Sequence, residues 1–150
     1  MLSLLLAACA SNASGPQFSA LEAPAGKAMI HVYAPAGFGG YGEPQVVEID
    51  GKLVGKLHPR GFISKEVTPG PHKVVVKSSI TNAILPGLPL PGESVTLAAG
   101  ENAYFRVFSK YDGLAFSPGG GAMPIYLTET VEVPEQVGAS EIRNTRASQG

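Results

Sequence analysis

Val46-Val47-Glu48-Ile49-Asp50-Gly51-Lys52-Leu53-Val54-Gly55-Lys56-Leu57 is the stretch whose reading decides the fold. Two short runs rich in β-formers meet at Asp50-Gly51. Asp-Gly suits a tight turn whose central residues both need positive φ, so the stretch reads as a β-hairpin. Upstream, Ala28-Met29-Ile30-His31-Val32-Tyr33 reads as a strand with Ile30 and Val32 on one face. It ends at Pro35 and a glycine-rich connection, and His31 falls on its less apolar face. Downstream, Phe62 to Val67 is a further strand, and Pro69-Gly70 makes a turn. His72 to Lys77 then follows, with Val74 and Val76 inward and the lysines outward.

The same reading continues to the C-terminus. Leu85-Pro86-Gly87-Leu88-Pro89-Leu90-Pro91-Gly92 has too many prolines for a central strand. Ser94 to Leu97 is a strand, Ala99-Gly100-Glu101-Asn102 a turn, and Ala103 to Lys110 a strand. The loop Asp112 to Pro124 precedes a last strand, Ile125 to Val133. In that strand Ile125, Leu127, Glu129, Val131 and Val133 share a face. An unpaired buried carboxylate is costly, so a bulge or strand end is expected near Glu129. Pro134 can start a short helix running to about Arg146, with frayed residues after it.

Composition bounds the function. A length of 150 residues fits one domain, and 19 Gly, 13 Pro and no Trp point to many turns between short strands. A net charge of −1 leaves no electrostatic footprint for nucleic acid and no polybasic membrane patch. A single cysteine excludes an internal disulfide. No segment after Cys9 approaches the 18 or so consecutive apolar residues of a membrane-spanning helix.

That cysteine follows the apolar run Met1-Leu2-Ser3-Leu4-Leu5-Leu6-Ala7-Ala8. Leu6-Ala7-Ala8-Cys9 resembles a bacterial lipobox, in which the cysteine is diacylated and becomes the mature N-terminus. Small residues at a cleavage site let the peptidase grip extended backbone. No Lys or Arg precedes Cys9, which predicts a start codon upstream. The other reading of these residues is an ordinary apolar N-terminus holding a cysteine by chance. Under the lipobox reading, residues 1–8 end a signal peptide and residues 9–26 form a small, polar, lipid-tethered linker with nothing to bury. Residues 27–133 form the β-domain and 134–150 the helix and tail. Ala10 follows Cys9, where enteric-type sorting places Asp to retain lipoproteins at the inner membrane. By resemblance to that rule, the destination is the outer membrane facing the periplasm.

A wider resemblance rests on turn motifs. Asp50-Gly51 and the segment Pro69-Gly70-Pro71-His72-Lys73-Val74 resemble the "Pro-Gly-x-His-x-Val" element of PEGA-like surface domains. Val95 to Phe105, through Ala99-Gly100-Glu101, is similar to the closing element of a family of bacterial lipoproteins with a domain of unknown function. This resemblance covers about residues 27–110. It implies an all-β antiparallel β-sandwich, transthyretin-like or immunoglobulin-like, and no enzymatic activity.

Signals of chemistry fail on context. Gly37-Phe38-Gly39-Gly40-Tyr41-Gly42 matches G-x-G-x-x-G, but Glu43-Pro44 and a strand follow where a dinucleotide site needs a helix. His31, His58 and His72 lack metal-ligand spacing. His72 reads instead as a ring fixing the turn at Pro69-Gly70, and Asp50 as turn chemistry. No nucleophile–base pair is recognisable, and no cofactor is called for. Phe38, Tyr41, Leu114, Phe116 and Met123 sit in glycine-rich connections, where they either bind partners or cap the core. The first expectation is a lipid-anchored, non-catalytic adaptor or structural module for envelope protein partners. The alternative is a module binding cell-wall glycan or peptide through loop aromatics.

Overall fold

A computed structural model of the chain describes residues 12–35, 44–84, 87 and 89–148. Their elements run β1 (Ala28–Tyr33), β2 (Gln45–Ile49), β3 (Lys52–Leu57), β4 (Gly61–Val67), β5 (Gly70–Ser78) and α1 (Ser79–Ile84). They continue with β6 (Glu93–Leu97), β7 (Asn102–Phe116), β8 (Ala122–Val133), α2 (Glu135–Ile142) and β9 (Arg146–Ala147). One sheet has the order β8-β7-β1-β4-β9, the other β3-β2-β5-β6. The fold is an all-β sandwich with a short C-terminal helix. Its pairings are antiparallel except β1 with β7 and β4 with β9, which are parallel.

Alternation builds the space between the sheets. Ile30 and Val32 of β1, Val47 of β2, Val74 of β5 and Phe105 and Val107 of β7 meet there. The Asp50-Gly51 turn has positive φ at both residues, 52° and 74°, which pins the register of β2 on β3. Val46 pairs with Lys77 on the opposite face of that sheet. Lys77 keeps the outward face that the alternation of β5 predicts, but it is buried there and held 2.7 Å from Glu48.

The first sheet is also covered on its outer side. Phe18, Tyr33, Tyr104, Val133 and Ile142 form a second apolar cluster beneath α2, and β1 is buried along its whole length. Three expectations change as a result. Residues 12–18 are not a linker with nothing to bury: the amides of Ala13, Gly15 and Phe18 donate to Pro59, Ala147 and Thr145. The helix stops at Ile142 rather than near Arg146. The tail beyond it is not frayed, because Arg146 and Ala147 pair with Gly61 and Phe62. The helix α1 follows β5 directly and has no counterpart in the sequence reading.

The largest difference lies in β7 and β8. The expected loop from Asp112 to Pro124 is mostly strand, and only residues 117–121 turn. The pairing runs from Tyr104 opposite Val133 to Phe116 opposite Ala122. The bulge falls between Tyr111 and Gly113, not near Glu129. Glu129 needs no bulge because its face of β8 is open: Leu127 and Val131 are exposed, and Glu129 reaches Lys110 at 3.5 Å.

Candidate functional site

Neighbour β1 reaches only as far as Arg106 on β7, through the Tyr33–Arg106 pair. Val107 still enters the core, but from Ser109 onward β8 is the only strand partner of β7 among the described residues. The hairpin therefore leaves the sandwich as a two-stranded arm. Strand alternation alone puts Tyr111 and Leu114 on opposite faces. The bulge at Asp112 shifts the register by one, so Tyr111, Leu114 and Phe116 all share the face that continues the sandwich interior. Gly113, with φ 111°, supplies the backbone that this shift needs. Among the described residues, no strand of the second sheet pairs there, and Tyr111, Leu114 and Phe116 are 55%, 49% and 76% exposed. Residues 113–128 carry no charge.

At the root of the arm, a solvent-open cavity of about 340 Å³ lies between the sheets. Val74, Val76, Gly92 and Glu93 line one side, and Thr128 to Val131 the other. Thr128 donates to the Gln45 side-chain oxygen at 2.9 Å across this gap. Here the interior face of β8 carries Thr128 and Thr130 rather than aliphatic residues.

The sequence-predicted residues are distributed unevenly. Cys9, Phe38 and Tyr41 lie outside the described residues. Leu114 and Phe116 share one face of the arm, whereas Met123 pairs with Ala115 on the other face; all three lie in strands β7 and β8 rather than in a loop. Asp50, Gly51, Pro69, Gly70 and His72 gather at the other end of the β2–β5 pair. His72 Nδ1 lies 2.7 Å from Asp50 Oδ2, and Nε2 lies 2.7 Å from the Thr68 carbonyl. Asp50 Oδ1 also accepts from the Lys73 amide at 2.9 Å. Neither a carboxylate nor a carbonyl can donate, so the doubly protonated ring satisfies both contacts. The Asp50 hydrogen bond accordingly holds His72 above the ordinary histidine range, helped by Thr68 and opposed by partial burial.

Sequence reasoning missed two clusters on the outer face of the first sheet. His31 is fully buried, 2.7 Å from the Ser64 hydroxyl and 3.1 Å from Asn102 Oδ1, and stacked on Tyr104 with centroids 4.7 Å apart. Burial pushes its pKa down, and the hydrogen bond to Asn102 only partly opposes this. Tyr33 donates to Glu141 at 2.6 Å, and Arg106 donates to the other oxygen of the same carboxylate at 2.9 Å. Burial, then the Glu141 contact, raises the Tyr33 pKa. Both clusters tie α2 and the N-terminal segment to the sheet. No alternation signal on β1 could have disclosed them, because their partners lie far along the chain. Among the described residues, no three His, Cys, Asp or Glu side chains are grouped so as to hold a metal. No helix among them is long and apolar enough to cross a membrane.

Fold and site together define an all-β sandwich domain with a projecting apolar hairpin. The chain belongs to the family described as "Protein of unknown function (DUF2846)", which matches residues 24–120. That match ends at the tip of the arm and leaves β8, α2 and β9 beyond it. No curated protein and no solved structure matches the chain.

Proposed function

We propose that this chain is a lipid-anchored, non-catalytic module of the cell envelope that holds a protein partner on its β7–β8 arm. The observation that carries the reading is the arm itself. Its core-facing side runs beyond the second sheet with Tyr111, Leu114 and Phe116 exposed. Contiguous exposed apolar surface on a soluble domain marks an interaction site. β8 is also the edge strand of its sheet, and an edge can take a further strand from a partner. Lipid attachment through Cys9 is supported by the lipobox-like run that ends in the chain's single cysteine. An outer-membrane, periplasm-facing site follows from Ala10 after Cys9.

In-cell crosslinking from a photoreactive residue at position 114 tests the adaptor reading. A discrete protein adduct that disappears with Phe116→Ser is the expected result, and an adduct pattern unchanged by that substitution removes the arm as the docking site. The intact mass of native protein extracted from membranes tests the anchor: the chain from Cys9 plus acyl groups is expected. A second reading, a cell-wall glycan or peptide ligand, draws on the cavity at the arm's root, whose threonine and glutamate side chains can hydrogen-bond hydroxyl groups. Co-sedimentation of the Cys9→Ser chain with purified peptidoglycan, lost on Thr130→Val, would favour it over the protein partner.

A further inference from the structure

Three segments far apart in sequence meet at one corner of the sandwich. The Ala13 amide donates to Pro59 in the β3–β4 turn, and the Arg146 amide donates to the carbonyl of Arg60 in the same turn. Gln17 Nε2 donates to the Arg143 carbonyl, and the Arg146 guanidinium to the Gly15 carbonyl. Lys56, Arg60, Arg143 and Arg146 are all exposed here. Residues 12–18, 51–62 and 142–148 contain no Asp or Glu. Among the described residues, none of these four cations has a carboxylate partner, whereas Lys27, Lys77, Arg106 and Lys110 each do. A chain of net charge −1 therefore gathers four cations, three of them arginines, with no acidic residue in the same segments, at the point where its N-terminal segment docks; Lys52, Lys65 and Lys73, also outside any ion pair among the described residues, lie elsewhere on the strands.

We infer that this corner is a contact for anionic lipid headgroups. The inference rests on the proposed anchor at Cys9 and deepens it. Three residues separate Cys9 from Ala13, no more than about 14 Å of chain. An acylated Cys9 thus cannot hold the domain at a distance; it brings Arg60, Arg143 and Arg146 to the bilayer surface. Each Lys or Arg near an anionic surface contributes a modest, salt-sensitive attraction. Acyl chain and arginines then act as the two signals that stable membrane attachment needs.

The same corner sets the orientation of the arm. β7 runs parallel to β1, and Gly61 lies beside the end of β1 from which the arm departs. Corner and arm therefore leave the same end of the sheet, and the arm's partner is met on the membrane-facing side. The arm itself is a poor candidate for deep insertion, because among the described residues no strand pairs with the outer edges of this hairpin, and hydrocarbon does not tolerate unpaired backbone groups.

The test uses the full chain carrying Cys9→Ser, so that no acyl chain contributes. Its co-sedimentation is compared on vesicles of phosphatidylglycerol with phosphatidylethanolamine and on vesicles of phosphatidylcholine alone. Binding to the anionic vesicles only, weakened by added salt, is expected. Arg60→Gln with Arg143→Gln lowers that partitioning roughly twenty-five-fold, about fivefold per charge. Phe116→Ser leaves it unchanged. Equal binding to both vesicle types, no effect of the arginine pair, or loss with Phe116→Ser overturns the inference. The failure of native Cys9 to carry acyl groups would instead remove the anchor reading and leave the vesicle result to stand by itself.

Discussion

His72 shows how much one side chain can hold at a turn. Its raised pKa means that its contribution to stability is complete below about pH 6.5 and fades as pH rises through the folded value. Asp50 is pushed up by burial, but the His72 hydrogen bond, the Lys73 amide and nearby positive charge outweigh this and hold its pKa below the ordinary carboxylate value. Its contribution is complete above about pH 4 and fades as pH falls further. The pair is therefore strongest between about pH 4 and 6.5. Asp50 is 46% exposed, so solvent screening keeps the effect at or below about 1 kcal/mol. Asp50→Asn is expected to return the His72 titration, followed by ring proton shifts, toward the ordinary range and to flatten urea stability between pH 5 and 8. A wild-type His72 titrating at or below about 6.5 contradicts the geometry. Both residues were legible as turn residues in the sequence, because Asp-Gly and Pro-Gly announce themselves locally. Their mutual contact was not, since it joins two turns 22 residues apart.

At the scale of elements, α2 and the β7–β8 arm make opposite demands. Helix α2 lies so close to β7 that a Cβ on Gly138 would overlap the Tyr104 ring. That ring cannot retreat easily, because it is stacked on the buried His31. In an exposed helix, Gly→Ala gains about 1 kcal/mol, whereas overpacking costs about 1–3 kcal/mol. Overlap with a fixed ring wins, so Gly138→Ala is expected to lower Tm by several degrees in a calorimetric scan; a variant as stable as the parent contradicts the packing. The arm carries no such load. Phe116, 76% exposed, should tolerate Ser within about 0.5 kcal/mol by urea unfolding. A larger loss would mean that Phe116 caps the core. Strand existence was readable from alternation, but the extent of β7 and β8 was not. Gly113 and Pro124 are breakers by composition, yet a bulge absorbs the first, and the second sits on an edge strand, where a missing amide is tolerated.

Across the whole molecule, residues 12–18 and 145–148 form one structural unit. Phe18 meets His31 and Phe62 edge-on at 5.5 and 5.1 Å, and its amide is bonded to Thr145. Phe18→Ala removes a largely buried ring from the outer cluster and is expected to cost about 3 kcal/mol. Because residues 12–18 and 145–148 share hydrogen bonds, the amides of Gly15, Phe18, Arg146 and Ala147 should lose protection together in hydrogen exchange. Independent loss at one end would show that the two segments are not coupled.

By itself, the sequence determined the all-β class, the positions of most strands and the turns at Asp50-Gly51 and Pro69-Gly70. Each of these depends on neighbours within a few residues, through side-chain alternation and backbone φ. Only the tertiary structure decided that both faces of β1 are buried, that Ala13 and Arg146 are bonded to the β3–β4 turn, and that Tyr111, Leu114 and Phe116 share one exposed face. Those outcomes depend on which distant segments cover a surface and on a one-residue shift in pairing. Neither leaves a periodic trace along the chain.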